Sequence, residues 1–239
     1  MKRAFHLLLG CVWIAAAQSS LPFAPGPLLH SDDFHHGLAQ WAAELEKPGT
    51  IEARNGVLNI DVPGGCTLWF RPELEGPIVI EYDATEVQAG GPNDRVSDLN
   101  AFWMATDSRS PGDLFATKRS GAFADYNQLR AYYVGQGGNS NTTTRFRRYI
   151  GDPEVRPLLP EHDLGSPEVL LQPNVSKHVQ LVAMGKRIQY YSDGKRLFDF
   201  EDASPYTRGR FALRTVTSHL QIRNFRIYRL APKAMMEGR

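Results

Sequence analysis

The stretch HVQLVAMGKRIQYYSDGKRLFDFED, residues 178–202, decides the fold class of this chain. It contains three runs in which apolar and polar residues alternate, the pattern of strands with one buried face. The runs are separated by MGK at 184–186 and by SDGK at 192–195. Asp193-Gly194 is a dipeptide that favours the tight turn of a β-hairpin. The stretch therefore predicts three consecutive antiparallel strands.

The rest of the chain continues this pattern in both directions. No segment carries a long apolar stripe with the 3.6-residue period of a helix. Short strands that follow one another at regular spacing, with turn residues between them, predict an all-β sandwich of jelly-roll type. The further segments predicted to contain strands are 49–62, 66–73, 77–88, 99–107, 127–135, 142–151, 209–216 and 220–230.

The overall composition excludes some classes of function. The 239 residues carry a net charge of +1, so we expect no nucleic-acid partner, because neutralising a phosphate backbone needs a basic face. The histidines are scattered apart from His35-His36, and neighbours on a strand point in opposite directions, so we expect no Cys/His metal site. We expect no cofactor, although GGPNDRVSD at 90–98 leaves a structural calcium ion open.

The N-terminal residues have the pattern of an export signal. Lys2 and Arg3 precede a short apolar core, and Ala15 and Ala17 fit an A-x-A cleavage site. The core is too short to span a membrane. The alternative is a lipoprotein anchor at Cys11, which we disfavour because the apolar run before it is very short and continues after it. We predict an exported protein, periplasmic or extracellular, with a signal peptide at 1–17, an N-terminal extension at 18–30, one sandwich domain at 31–232 and a tail at 233–239.

Several segments resemble a known class of fold. The opening, DDFHHGLAQWAAE at 32–44 with GTIEARNGVLNID at 49–61, and the ending, GRFALRTVTSHLQIRNFRIYRL at 209–230, resemble concanavalin-type (laminin-G-like) jelly rolls. The middle is similar to the YesU-like proteins, which occur among bacterial functions for plant cell-wall polysaccharides. The segments that carry this second similarity are SDLNAFWMATD at 97–107, GAFADYNQLRAYYVGQGGNSNTTTRFRRY at 121–149 and YYSDGKRLFDFEDASPYTRGRFALRT at 190–215.

The resemblance implies a concanavalin-like jelly-roll β-sandwich of two curved antiparallel sheets. In that class of fold a concave sheet holds sugars, which stack on aromatic rings and bond to Arg, Asn, Gln and Asp side chains. The implied partner is a polysaccharide or oligosaccharide. A shared fold does not by itself give a reaction.

The segment NTTTRFRRYIGD, at 141–152, supplies the main candidates for contacts with such a ligand. On an extended strand Arg145, Arg147 and Tyr149 share one face, and the residues between them share the other. The guanidinium fork of arginine pairs a carboxylate through two hydrogen bonds, so a uronic-acid unit is the expected ligand. The alternative is that these arginines pair with Asp or Glu on the next strand.

Other polar and aromatic residues are candidates for the same concave sheet. Trp103 suits a platform for a sugar ring, with a buried tryptophan of the sandwich core as the alternative. Tyr132 and Tyr133 point to opposite faces of one strand, so one of them belongs to the core. The remaining candidate substrate-binding residues are Asn100, Tyr126, Gln128, Arg130, Asn141 and Arg214.

The favoured activity at this stage is β-elimination on an acidic polysaccharide. Arg145, Arg147 and Asn141 would hold the uronate carboxylate, His219 or Tyr132 would remove the carbon-bound proton, and an acid would protonate the leaving oxygen. That chemistry needs neither a metal ion nor a nucleophile.

Two alternatives remain open. A non-catalytic carbohydrate-binding accessory protein would use the same residues as ligands only. A retaining glycoside hydrolase would use Glu81 and Glu86 of EYDATE, at 81–86, if both carboxylates reached one face of the strand.

Overall fold

Two eight-stranded antiparallel sheets form the framework of the computed structural model, which describes residues 23–155 and 160–232. The strands are β1 (Phe23–Asp32), β2 (Trp41–Leu45), β3 (Thr50–Arg54), β4 (Val57–Val62), β5 (Cys66–Phe70), β6 (Leu74–Glu75), β7 (Ile78–Glu86), β8 (Leu99–Asp107), β9 (Leu129–Gly137), β10 (Thr143–Ile150), β11 (Asp163–Leu164), β12 (Lys177–Met184), β13 (Arg187–Ser192), β14 (Lys195–Glu201), β15 (Arg208–Thr215) and β16 (Ser218–Pro232). The helical turns within the described residues are α1 (Gly138–Asn141) and the 3₁₀ turns Leu114–Ala116, Phe123–Tyr126, Pro160–His162 and Pro167–Val169.

The chain crosses between the two sheets several times, so each sheet combines strands from separate parts of the sequence. Sheet A has the order β14-β13-β12-β7-β16-β4-β3, with β1 also paired to β16. Sheet B has the order β11-β10-β9-β8-β15-β5-β2, with β6 also paired to β15. The predicted all-β, concanavalin-like jelly-roll sandwich is confirmed.

The hairpins predicted from residues 178–202 are β12, β13 and β14, which lie side by side at one edge of sheet A. The turn between β13 and β14 has a φ of 51° at Asp193 and 74° at Gly194. Positive φ at both central residues matches the right-handed twist of the two strands. The prediction of three consecutive antiparallel strands is confirmed.

The apolar core lies between the sheets and follows the alternation of each strand. Ile80 and Tyr82 of β7 and Leu220 and Ile222 of β16 point from sheet A towards sheet B. Trp103 of β8 belongs to the same cluster. Burial of these side chains is the main favourable term for the sandwich, because each removes apolar surface from water.

Strand β1 begins at Phe23, so residues 23–30 of the predicted N-terminal extension pair with β16 in sheet A. The predicted signal peptide at 1–17, the anchor considered at Cys11 and the tail at 233–239 lie outside the described residues. Within 23–155 and 160–232, none of the helical turns is long and apolar enough to cross a membrane.

A second apolar layer lies on the outer face of sheet B. Residues 108–128, which we call the cover segment, connect β8 to β9 and fold back over that face. Trp69 and Phe102 point outwards from the sheet and are nevertheless fully buried, because Leu114 and Tyr126 of the cover segment pack against them. The cover segment therefore removes the part of this face around Trp69 and Phe102 from solvent.

Arg119 connects the cover segment to sheet B through buried ion pairs. Its guanidinium is fully buried and pairs with Asp107, 2.8 Å away, and with Glu44, 2.9 Å away. It also lies over the rings of Trp69 and Tyr126, at 5.5 and 5.9 Å from their centroids. A buried charge is tolerated only when it is paired and hydrogen-bonded, and these contacts meet that requirement.

Candidate functional site

A pocket with a cavity volume of about 460 Å³ opens on the outer face of sheet B, beside the cover segment. Its floor is formed by β8, β9, β10 and β15, and Phe123 of the cover segment stands at its rim. The sequence placed Arg145, Arg147 and Tyr149 on one face of a strand, and all three line this pocket. That local geometry follows from the two-residue period of β10.

Directly paired residues of neighbouring strands form a row across sheet B. Cross-strand partners point to the same face, so their side chains are neighbours. We call this set the polar row. From one edge strand to the other it consists of Asp163, Arg145, Gly135, Asn100, Arg214, Thr67 and Glu44.

Arg214 is a charged side chain buried at the centre of the polar row. It is 2% exposed, and its guanidinium donates to Thr67 Oγ1 at 2.6 Å and to the Gly121 carbonyl oxygen at 3.1 Å. Both acceptors are neutral, Nε has no hydrogen-bond partner, and no carboxylate of the described residues forms an ion pair with this guanidinium. The rings of Tyr126 and Phe123 face this guanidinium, with their centroids 4.7 and 4.8 Å from Cζ. A buried cation without an ion pair is nevertheless costly, so the site favours an anion.

Arg145 and Arg147 add positive charge at the open side of the pocket. Both pair with one carboxylate, that of Asp163, at 3.3 and 2.8 Å. Nearby, Asp98 pairs with Arg95 at 3.4 Å. Three arginines thus pair with two carboxylates around the pocket, and Arg214 pairs with none, so the imbalance again favours a negatively charged ligand.

Because Gly135 has no side chain, two polar atoms can lie close to its backbone on the pocket floor. A Cβ at this position would lie 2.9 Å from the Tyr133 hydroxyl and 3.1 Å from Asn100 Oδ1. Asn100 is 2% exposed and its Oδ1 has no hydrogen-bond partner among the described residues. Buried polar atoms normally are satisfied, so this unpaired oxygen is an unusual feature of the pocket floor.

Tyr133 supplies a proton donor rather than a base at neutral pH. Burial raises the pKa of its hydroxyl, the neighbouring Tyr149 raises it further, and Arg214 lowers it to a lesser degree. The Tyr133 ring packs against that of Phe123 in a tilted arrangement, with the two centroids 5.7 Å apart. The guanidinium of Arg214 lies 4.8 Å from the centroid of the Phe123 ring.

The sequence matches the protein family described as "Domain of unknown function (DUF6250)" over residues 60–225, which is more than half of the chain. This chain belongs to the DUF6250 family. No curated protein matches the sequence.

Solved structures resemble the DUF6250 protein in fold. A protein of unknown function with a galectin-like fold from Bacillus subtilis has a TM-score of 0.69 and 16% identity, covering 88% of this chain and 100% of that one. The carbohydrate-binding module CBM66 from Bacillus subtilis has a TM-score of 0.53 and 12% identity, covering 80% and 96%. Beta-agarase B from Zobellia galactanivorans has a TM-score of 0.55 and 10% identity, covering 91% and 97%. At these identities the likeness concerns the fold alone.

The structure corrects two site predictions for the DUF6250 protein. Trp103 is fully buried between the sheets, where its Nε1 donates to the Val182 carbonyl oxygen at 3.4 Å, so it offers no platform for a sugar. Tyr132 points into the same core, and its hydroxyl donates to Asp202 Oδ2 at 2.6 Å. Tyr132 therefore cannot act in the pocket. Its neighbour Tyr133, on the opposite face of β9, lines the pocket instead.

His219, the other predicted base, lies on sheet A and not in the pocket of sheet B. Its Nδ1 is 2.9 Å from Asp94 Oδ1, and its Nε2 is 2.9 Å from Asn59 Oδ1. Both ring nitrogens are thus occupied. The reason for the error is topological, since β15 and β16 are consecutive in the chain but belong to different sheets.

Four predicted ligand residues also lie away from the pocket. Tyr126 is beneath the cover segment and its hydroxyl donates to Glu44. Gln128 lies beside Ser108, and Arg130 is exposed at the far end of β9. The side chain of Asn141 bonds the backbone of Leu171 twice, which fixes the turn after β9 instead of a ligand.

The structure therefore brings together Asn100, Arg145, Arg147 and Arg214 of the predicted residues, and their role in ligand binding stays a prediction. Sequence reasoning missed Tyr133 and Phe123 as lining residues. Tyr133 could have been found by pairing β9 with β10, which sets it opposite Arg147. Nothing in the sequence signals Phe123, because its position depends on how the cover segment folds.

Within the described residues no three Asp, Glu, His or Cys side chains form a group that could hold a metal ion.

The two carboxylates of the hydrolase alternative point to opposite faces of β7. Glu81 faces outwards and accepts from Gln180 at 2.7 Å, whereas Glu86 faces inwards and is 2% exposed. They cannot flank one glycosidic bond as a retaining mechanism requires. That alternative is therefore wrong for this pair of residues.

The buried carboxyl of Glu86 leads to the prediction that the free energy of unfolding depends on pH. Burial raises the pKa of its carboxyl from 4.5 to about 8, and Oε2 accepts from Ser218. Between these two pH values the folded state keeps a proton that the unfolded state has lost, so stability is fully present below about pH 4.5 and falls as pH rises towards 8. We expect Glu86→Gln to remove this loss and to be the more stable protein at pH 8, by a few kcal/mol, in urea unfolding across the pH range.

Glu81→Gln is the control, because it removes a carboxylate from the outer face of the same strand. Parallel curves of stability against pH for wild type and Glu86→Gln between pH 5 and 8 would show that Glu86 does not titrate there.

Proposed function

We propose that this DUF6250 protein binds an acidic saccharide in the pocket of sheet B, with a uronate carboxylate next to Arg214. The observation that carries the proposal is the buried guanidinium of Arg214, which has two neutral hydrogen-bond acceptors and no ion pair among the described residues. A carboxylate is the common saccharide group that would neutralise it. Hydrogen bonds between arginine and a carboxylate are charge-assisted and planar, which gives orientation as well as affinity.

The rest of the pocket suits the hydroxyl groups and the apolar face of a sugar. Asn100 and Tyr133 line the pocket, and Asn100 Oδ1 has no hydrogen-bond partner among the described residues. Phe123 is 39% exposed at the rim, where the apolar face of a sugar ring can stack on it. The carbohydrate-binding module and the agarase among the similar folds support a saccharide ligand, as does the resemblance to the YesU-like proteins.

The proposal includes export from the cytoplasm. It rests on the basic start, the short apolar core and the A-x-A site of residues 1–17. A protein exported to the periplasm or the outside would meet polysaccharide there.

A second candidate function is β-elimination on the same ligand. In that reaction a base takes the proton beside the carboxylate, its electron pair forms a carbon–carbon double bond, and the glycosidic carbon–oxygen bond breaks. The leaving oxygen then takes a proton. Tyr133 favours this candidate through its position, because it lines the pocket and its phenol can donate a proton to that oxygen. The residues first predicted as the base, His219 and Tyr132, face elsewhere, so binding remains the better supported function.

One experiment distinguishes the two functions. The purified protein is titrated with galacturonate, mannuronate and glucuronate oligosaccharides and with neutral oligosaccharides of equal length, and heat of binding, ultraviolet absorbance and reducing ends are recorded. Binding of acidic but not neutral probes without product supports the binding function. New ultraviolet absorbance with new reducing ends supports elimination. Binding of neutral probes alone, or of none, overturns the proposal.

Gly135→Ala tests whether the pocket is the binding site. The new methyl group would occupy the space between the Tyr133 hydroxyl and Asn100 Oδ1. We expect the affinity for the acidic probe to fall about tenfold or more, while the fold stays intact because Gly135 has no left-handed φ and its nearest contact is a side-chain end. Calorimetry and circular dichroism measure the two effects.

Gly112→Ala is the matched control, since a Cβ there would meet nothing within 4 Å. Equal affinities of the two variants for the acidic probe would move the binding site away from Gly135.

A further inference from the structure

The polar row crosses the whole of sheet B, but only part of it is accessible. If the whole row were accessible, it would form a groove in which a long saccharide could lie across the sheet and extend beyond both edges. The pocket contains Arg145, Gly135, Asn100 and Arg214, and its lining ends there. The last two members of the row lie beneath the cover segment, where Thr67 is fully buried and the Glu44 side chain is 13% exposed.

The cover segment closes this end by direct backbone contact. A Cβ at Gly65 would overlap the Gly121 carbonyl oxygen, and a Cβ at Gly121 would overlap the backbone nitrogen of Glu46. Two backbones that approach this closely leave no room for a sugar between them. The Gly121 carbonyl oxygen also accepts from Arg214. The backbone at Gly121, which forms the wall at the closed end, therefore lies directly beside the buried guanidinium.

The polar side chains at the closed end are already occupied. The Glu44 carboxylate accepts from Trp69 Nε1 at 2.9 Å, from the Tyr126 hydroxyl at 2.7 Å and from Arg119. Thr67 is fully buried and accepts from Arg214. Neither side chain is left to receive a further sugar unit.

The opposite end of the row is open. Side-chain exposure rises from Arg214, which is 2% exposed as a residue, to Arg147 at 13% and Arg145 at 40%. Asp163, on the edge strand β11, is 29% exposed. Among the described residues the groove therefore has one closed side and one open side.

We propose that the pocket accepts the terminal uronate of a chain and does not bind along its interior. The inference rests on the proposed function. The terminal unit lies against the wall at Gly121 with its carboxylate at Arg214, and the chain leaves past Arg145 and over the β11 edge. One molecule of ligand then binds one or at most two protein molecules, through its ends, whatever its length.

End-blocked oligosaccharides test this inference. The probes are hexagalacturonate and hexamannuronate in three forms: free, blocked at the reducing end with 2-aminobenzamide, and blocked at the non-reducing end by O-methylation. We expect one of the two blocks to lower the affinity at least tenfold in calorimetry, and the other to leave it unchanged. Gly135→Ala should abolish the difference by weakening all forms.

The stoichiometry on long chains gives an independent readout. For polymers of about 20 and 100 units, we expect the same small number of protein molecules per chain in sedimentation analysis. A number that rises with length, or blocks that both leave affinity unchanged, overturns end recognition while the proposed function stands. Absence of binding to every form of both hexamers overturns the proposed function and the inference with it.

Discussion

An Arg214→Met variant is expected to lose binding of the acidic probe by at least about thirtyfold, while the free protein keeps its stability within about 1 kcal/mol. The two effects differ because the guanidinium has no ion pair among the described residues, whereas in the proposed function it pairs with the carboxylate of the ligand. Truncating one partner of a buried charged pair typically costs 2–5 kcal/mol of binding, so about thirtyfold is the lower limit. Replacing a buried charge with an apolar side chain of similar volume is often neutral for folding.

Calorimetry with the acidic oligosaccharide and urea unfolding of the free protein measure the two quantities separately. Arg130→Met is the matched control, because Arg130 is an exposed arginine of the same sheet at the far end of β9. A loss of several kcal/mol in stability with unchanged affinity would make Arg214 a structural residue and remove the support for a uronate ligand.

An Arg119→Ala variant is expected to destabilise the protein by about 3–5 kcal/mol. Removing this guanidinium leaves the carboxylates of Asp107 and Glu44 buried with a cation missing between them. It also removes the cation that lies over the rings of Trp69 and Tyr126. Urea unfolding followed by tryptophan fluorescence is the appropriate measurement, because Trp69 reports on this layer directly.

Arg208→Ala is the control for Arg119→Ala. The Arg208–Glu73 pair is bidentate but lies on the surface, with side chains 67% and 44% exposed, so its loss should leave the free energy of unfolding nearly unchanged. Equal small effects of the two variants would mean that the cover segment is held mainly by its apolar contacts.

The strands and the composition of single faces could be predicted from the sequence because both depend on local spacing. Arg145, Arg147 and Tyr149 share a face for the same reason that Asp193-Gly194 forms a hairpin turn: neighbouring residues alone determine the outcome. These parts of the prediction needed no knowledge of which strands pair.

The site itself could not be predicted in full because it depends on sheet order and register. Arg214 reaches Arg145 only through the pairing of β15, β8, β9 and β10, and no local pattern gives that order. Strand β9 presents tyrosines to both faces, since the cover segment makes the outer face partly apolar as well. The usual distinction between an apolar inner face and a polar outer face therefore did not identify which tyrosine, Tyr132 or Tyr133, lines the pocket.

The cover segment leaves and rejoins the sheet at one place, the directly opposed pair Asp107 and Leu129 of adjacent strands. Its length and sequence can consequently vary without shifting the register of any other strand. If the proposed binding mode holds, a shorter replacement loop would open the closed end of the groove, and it would also expose the apolar layer at Trp69 and Phe102. In the proposed function, the floor of sheet B would therefore determine which group is recognised, and one connecting loop would determine how much of a polymer is admitted.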